Sequence, residues 1–238
     1  PGEDISSQDN AMSAMPVSAG VPPAWYFREP ESETTSAFPL VPSDLGESDQ
    51  IVAFTALNRK TALLRGQFVH KLFEILPYLP ADKWSEAAEK IAASLLAGVA
   101  VLSRQKGLSA ADIQMLLNQV TAIIRDKRLR DLFGPDALAE AAISGRVGQL
   151  VVQGQVDRLV VRDTDVLLAD FKTGTPPANE TDMPVRYVRQ MAVYAELLRQ
   201  IYPAKQITCW VIWTQTAETS IISDAQIQEE LASLIAHD

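Results

Sequence analysis

The stretch that decides the fold is Gly154-Gln155-Val156-Asp157-Arg158-Leu159-Val160-Val161, then Arg162-Asp163-Thr164-Asp165, then Val166-Leu167-Leu168-Ala169-Asp170-Phe171-Lys172. Two runs rich in Val and Leu flank four residues of turn composition, which is the pattern of a β-hairpin. Periodicity extends the first strand over Val147 to Val161 and the second over Val166 to Phe171. A turn centred between Asp163 and Thr164 sets an antiparallel register in which Asp157 faces Asp170. Lys172 lies two residues beyond Asp170 and shares its face, while Phe171 points to the other side. One face then carries two carboxylates and an ammonium. Opposed carboxylates are expected to cost the metal-free protein stability and to raise the pKa of one of them unless a cation sits between. A hard divalent ion such as Mg²⁺ resolves that conflict, and a metal with an adjacent ammonium suits phosphodiester hydrolysis.

Upstream, apolar residues recur at three- and four-residue spacing from Ile51 to Phe133, predicting helices over Arg59 to Leu76, Ser85 to Ser103 and Ala110 to Asp126, with a shorter one near Arg128 to Phe133. Ser109 and Asp112 have capping-box spacing before the third. Downstream, a long helix is expected over Val185 to Ile201, a strand over Gln206 to Thr214, perhaps paired with Thr219 to Ile222, and a final helix over Asp224 to Ala236. The fold class is therefore α/β: a central mixed sheet flanked by helices, preceded by a helical region. The helical part is expected to span 51–135 and the sheet core 136–238.

The 238 residues, 26.0 kDa and 47% hydrophobic, suffice for a real core. A mean hydropathy of +0.01 and the lack of a long apolar run exclude a helical membrane span. The net charge of −9 is local, because residues 1–50 hold nine acids against one base. That leaves the rest nearly neutral, so a nucleic-acid partner is not excluded. Half of the 14 prolines also fall in residues 1–50, which read as an extended linker, and the start at Pro1 suggests a piece of a longer polypeptide. Pro22-Pro23-Ala24-Trp25-Tyr26-Phe27 is the part of it able to dock through aromatics. A single cysteine, Cys209, excludes an intrachain disulfide and a cysteine-ligated iron–sulfur cluster, and suits a reducing cytoplasm.

The quoted hairpin, with Gln190 and Tyr194 in the following helix and Arg65-Gly66-Gln67-Phe68-Val69-His70 upstream, resembles the PD-(D/E)xK nucleases of the RecB type. Within that family it is most similar to the carboxy-terminal nuclease domain of the AddA subunit of bacterial AddAB helicase-nucleases, which process double-strand DNA ends. The resemblance covers residues 55–215 and implies a restriction-endonuclease-like core. It implies that His70, Asp157 and Asp170 are metal ligands together with the Phe171 main-chain carbonyl, and that Lys172 is the catalytic lysine. Gln190 and Tyr194 would line the DNA path or support the site, and Glu140, placed before the first strand, is the candidate for the family's helix carboxylate. The implied cofactor is Mg²⁺, with Mn²⁺ as a substitute. The implied partners are DNA, a helicase portion of the same polypeptide and a second subunit. No ATP-binding motif is present in this chain.

Two other readings compete. One is a catalytically silent DNA-end-binding or interaction module of the same fold, against which the complete Asp157, Asp170, Lys172 set weighs. The other is a stand-alone RecB-like exonuclease. The basic run Arg125, Lys127, Arg128 and Arg130 reads first as a complement to a helix end and solvent, and secondarily as a phosphate track.

Overall fold

Residues 41–42, 56–100, 107–179 and 182–236 are described by the structure, a computed structural model, and all structural statements concern these residues. The expected acidic linker over residues 1–50 and its aromatic docking segment lie outside them, apart from Val41 and Pro42.

Three helices come first along the chain: α1 (Ala56–Ile75), α2 (Trp84–Ala100) and α3 (Ala110–Ile124). Their apolar positions recur with helical spacing, so Phe68, Val69, Leu72 and Phe73 of α1 meet Ala88 and Ile91 of α2 and Leu116, Leu117, Val120 and Ile123 of α3 in one buried cluster. The capping box at Ser109 and Asp112 is formed, each residue bonding the other's backbone N–H. A short 3₁₀ turn, Arg130–Phe133, then leads into the sheet.

The sheet has five strands in sequential order: β1 (Ala137–Val147), β2 (Leu150–Val161), β3 (Asp165–Lys172), β4 (Gln206–Trp213) and β5 (Glu218–Ile222). All neighbours are antiparallel except β3 and β4, which are parallel and joined by α4 (Val185–Ile201) as crossover. α4 and α5 (Asp224–Ala236) cover one face, and α1 to α3 cover the other. Among the described residues, no helix is long and apolar enough to cross a membrane.

The sequence reading merged two elements. The expected strand over Val147 to Val161 is the end of β1 and all of β2, separated by a tight turn in which Gly148 has φ of +60°. β1 itself was not expected, because Ala-rich, alternation-poor Ala137 to Val147 carries no strand signature. The β1–β2 hairpin also changes sides along its length. Ala137 and Val160 pack with the α1–α3 cluster, whereas Ile143, Val147, Val152 and Val156 pack with α4. The reversal falls at Glu140, whose φ of 49° breaks the alternation of the pleat. Pairing resumes in the same register on either side, Ala139 with Arg158 and Ala141 with Val156, so Glu140 and Asp157 stand opposite each other at the reversal. Glu140 therefore lies inside β1 and not before the first strand.

Beyond the reversal, glycines let the hairpin close on α4. A Cβ on Gly145 would lie 2.7 Å from a Leu197 methyl, and one on Gly154 would lie 2.6 Å from the Tyr194 hydroxyl.

Candidate active site

The β2–β3 register is the one the turn requires: Val161 pairs with Val166, Leu159 with Leu168 and Arg158 with Ala169, which carries Asp157 opposite Asp170. At that end the ladder opens. The Phe171 N–H, which faces β2, donates to Asp157 Oδ2 at 2.7 Å in place of a main-chain carbonyl. Because N–H and C=O of one strand residue leave on the same side, the Phe171 carbonyl also faces the Asp157 side of β3. Lys172 faces the other way in the ladder, its carbonyl accepting from the Thr214 N–H.

Phe171 turns its ring into the core, as expected, and is 1% exposed. It stacks on Phe73 with centroids 3.8 Å apart. That contact, with the Arg158 guanidinium donating to the Phe73 carbonyl, fixes the end of α1 against the sheet. One helical turn earlier, His70 then reaches Asp157, with Nδ1 3.2 Å from Oδ1.

On the α4 side, Lys172 Nζ lies 2.7 Å from Asp170 Oδ2 and donates to Gln190 Oε1 at 2.9 Å. The other end of the Gln190 amide donates to Asp170 Oδ1 at 3.0 Å. Gln190 thus bridges the two charged groups, a role for which an amide, with both donor and acceptor, is suited. The Tyr187 ring lies under the ammonium at 4.7 Å. Tyr187 was missed in the sequence, although it sits three residues before Gln190 on the same helical face. Tyr194 is buried one turn beyond Gln190, against Gly154. The glycine of the Gly154-x-x-Asp157 pattern is there to admit that hydroxyl.

The charges sort into two pairs. Burial opposes ionisation of His70, but the Asp157 carboxylate overrides it and raises the imidazole to about 9. Asp157 is itself buried, yet His70, Lys172 and the Phe171 N–H hold it below the ordinary carboxylate range. Asp170 is pushed up, by burial first, against the opposing pull of Lys172, and then by the Asp157 charge. Lys172 is raised despite burial, because Asp170 and Asp157 face it. Of the two opposed carboxylates, one is indeed raised and the other is not. The expected penalty in the metal-free protein is corrected, however, because each carboxylate already has its own cation.

The donor set fits a divalent ion. His70, Glu140 and Asp157 each present a ligand atom, all within 4.8 Å of one another. Carboxylate oxygens are the preferred ligands of Mg²⁺ and Mn²⁺. Asp170 is outside that group of three, turned toward Lys172 and Gln190, and its buried Oδ2 has the ammonium as ion-pair partner but no aligned hydrogen-bond donor. Glu140 is raised by burial and by the neighbouring Asp157 charge, so a cation there would relieve it. A cavity of about 570 Å³ opens over the cluster, lined in part by Gln153, Gln155, Asp157, Asp170, Lys172 and Gln190.

The basic run is engaged locally. Arg128 is held by Asp126, Arg130 lies 3.5 Å from Asp131, and Arg125 covers the Trp84 ring.

Residues 48–237 match the PD-(D/E)XK nuclease superfamily. The chain belongs to that superfamily. No curated protein matches it significantly. Among solved structures, one named "Putative exonuclease" from Eubacterium rectale is similar at 19% identity with a TM-score of 0.51, over 74% of this chain and 64% of that one. A second, SSO0001, is 17% identical over 74% of this chain and 84% of that one, with a TM-score of 0.29. The chain spans less than two thirds of the exonuclease's length, and at this identity the likeness speaks for the fold. As a superfamily member with a sheet flanked by helices, the protein has a restriction-endonuclease-like core, the fold of a superfamily whose nucleases typically use divalent metals.

Proposed function

We propose that the protein is a Mg²⁺-dependent DNA nuclease and the nuclease part of an AddAB-type helicase-nuclease that processes double-strand ends for recombinational repair. The observation that carries the chemistry is the meeting of Asp157, Asp170 and Lys172 at the open end of the β2–β3 ladder, with His70 and Glu140 beside them. A divalent ion, Mg²⁺ or Mn²⁺ in its place, would be held by His70, Asp157, Asp170 and the Phe171 carbonyl, with Glu140 added, and would polarise the scissile phosphate and activate water.

The protein's own groups do the rest. Lys172 holds its proton and places a positive charge where negative charge accumulates on the phosphate oxygens in the transition state. Gln190 keeps that ammonium and the Asp170 carboxylate in fixed relation, and Tyr187 covers the ammonium from the helix side. Tyr194 supports the hairpin that carries Asp157. The Asp-Phe-Lys order in place of the family's Asp-Tyr-Lys changes only a group facing the core, away from the charges.

The helicase context rests on the ordered resemblance from His70 to Tyr194, under which the motor belongs to another part of the polypeptide or to a second subunit in the cytoplasm. A stand-alone exonuclease is the second reading, favoured by the name of the similar solved structure. The test is cleavage of linear DNA with Mg²⁺. Lys172→Ala is expected to lose activity by about 10²-fold or more. Equal rates for variant and parent remove Lys172 from catalysis.

A further inference from the structure

The helix that carries His70 runs into a proline. α1 ends at Ile75, whose backbone is still right-handed helical, and passes directly into a 3₁₀ turn, Leu76–Tyr78, with Pro77 at its second position. In an α-helix the carbonyl of residue 73 accepts from the N–H of residue 77, and proline has none to give. Phe73 therefore lacks the usual α-helical donor for its carbonyl at a buried helix end, the residue being 1% exposed. The Arg158 guanidinium donates to that oxygen through Nη2.

We propose that Arg158 is a positioning residue for the metal site: by supplying the hydrogen bond that Pro77 cannot, it sets how α1 presents His70 to a divalent ion. The proposal rests on the metal-dependent nuclease reading and adds to it a residue buried behind the site. Asp157 and Arg158 are neighbours on β2, and each takes hold of α1, Asp157 at His70 and Arg158 at Phe73. Three residues of helix separate the two holds by about 4.5 Å along the axis. A single hold leaves a helix free to turn or slide about it, and a second one turn away fixes both. Metal ligation tolerates little of either, since ligand distances are confined to about ±0.2 Å.

The chemistry of Arg158 is an independent observation. The residue is 1% exposed, and its Nε and Nη1 are buried without a hydrogen-bond partner among the described residues. Burial also pulls its pKa down from the ordinary guanidinium value. A buried cation with unused donors costs stability, and an apolar side chain of similar length would fill the space without that cost. What the apolar side chain would not supply is the bond to Phe73. The Phe133 ring lies 5.1 Å from the guanidinium carbon and stacks with Phe73 and Phe171, so the guanidinium is held where one N–H meets the carbonyl. Its charge works against the ion. Glu140 and Asp157 face the guanidinium, and a cation acting on them through space would weaken their attraction for a second one. Position and charge thus give opposite outcomes when Arg158 is removed.

The test is Mn²⁺ affinity, read from the electron paramagnetic resonance signal of the free ion at a temperature where every variant is folded, with a thermal melt of each. Arg158→Met is expected to weaken Mn²⁺ binding about tenfold. Pro77→Ala in the same chain returns a main-chain N–H to Phe73 and is expected to bring the affinity back to within about threefold of the parent. In a His70→Asn background the loss on Arg158→Met should vanish, because the ligand it positions is gone. The proposal is overturned if Arg158→Met binds Mn²⁺ as tightly as the parent or more tightly, if Pro77→Ala recovers the melting temperature but not the affinity, or if the loss persists without His70. Should Arg158→Met alone not fold, the double variant with Pro77→Ala decides: folding with near-parental affinity supports the proposal, and failure in either respect overturns it. A parent that takes up no Mn²⁺ sinks the metal reading and the proposal with it. A parent that binds the ion but cuts no DNA sinks the nuclease reading and leaves the role of Arg158 standing.

Discussion

At the residue scale, the site is a balance of two ion pairs that a metal must rearrange. His70 is raised from 6.5 to about 9, so in the metal-free protein it is protonated at neutral pH and paired with Asp157. A group whose folded pKa is raised stabilises the fold fully below its unfolded pKa and ceases to do so as pH rises through the folded value. The melting temperature of the parent, compared with His70→Asn in chelator, is therefore expected to show its largest advantage below pH 6.5 and to lose it above about pH 9. Coordination needs the neutral imidazole, so divalent binding at pH 7 should release about one proton, measurable by calorimetry in buffers of different ionisation enthalpy. Asp170→Asn makes a second residue-scale prediction. Turn arithmetic alone expects it to relieve repulsion and raise the metal-free melting temperature. With Lys172 2.7 Å from Asp170, the substitution instead strands a largely buried ammonium and should destabilise the metal-free protein by about 1–3 kcal/mol, as read in urea melts.

At the element scale, the decisive feature is how the β1–β2 hairpin reverses its faces at Glu140 and closes on α4 through glycine. Gly154→Ala would push a methyl to 2.6 Å from the Tyr194 hydroxyl, and neither strand nor helix can retreat without disturbing Asp157 or Gln190. It is expected to cost about 1–3 kcal/mol and to lower cleavage, with Tyr194→Leu in the same chain recovering much of the stability, as read in a double-mutant cycle. The hairpin of Asp157 and Asp170 was legible in the sequence because its signals are local: Val and Leu runs, a turn of fixed length, and a period of two. The same holds for α4 and α5, whose bounds agree with the apolar spacing. β1 was not legible, since its Ala-rich run takes its strand character from pairing with β2 rather than from its own side chains. The position of Glu140 was hidden for the same reason: nothing in the residues around it announces a left-handed backbone, which tertiary pairing on both sides imposes at a cost of about 1–3 kcal/mol.

At the scale of the whole molecule, the ligands come from two layers that otherwise meet through apolar packing. His70 belongs to the α1–α3 layer, Glu140, Asp157 and Asp170 belong to the sheet, and Gln190 reaches in from α4 on the far face. An ion bound between His70 and the strand carboxylates would tie the helical layer to the sheet, and the unfolded chain, with these residues dispersed from position 70 to 170, offers no such site. Binding to the folded state alone stabilises it by about 2.7 kcal/mol when the free ion stands at a hundred times its Kd. For a chain of this length that corresponds to roughly 5–10 °C in melting temperature. The parent should therefore melt about that much higher in saturating Mn²⁺ than in chelator. His70→Asn should keep only part of the gain and Asp157→Asn almost none, because Asp157 contacts both His70 and the Phe171 N–H and so holds the helical layer and β3 in register. If Mn²⁺ raises all three proteins equally, the ion binds elsewhere and the junction between the layers is closed by packing alone.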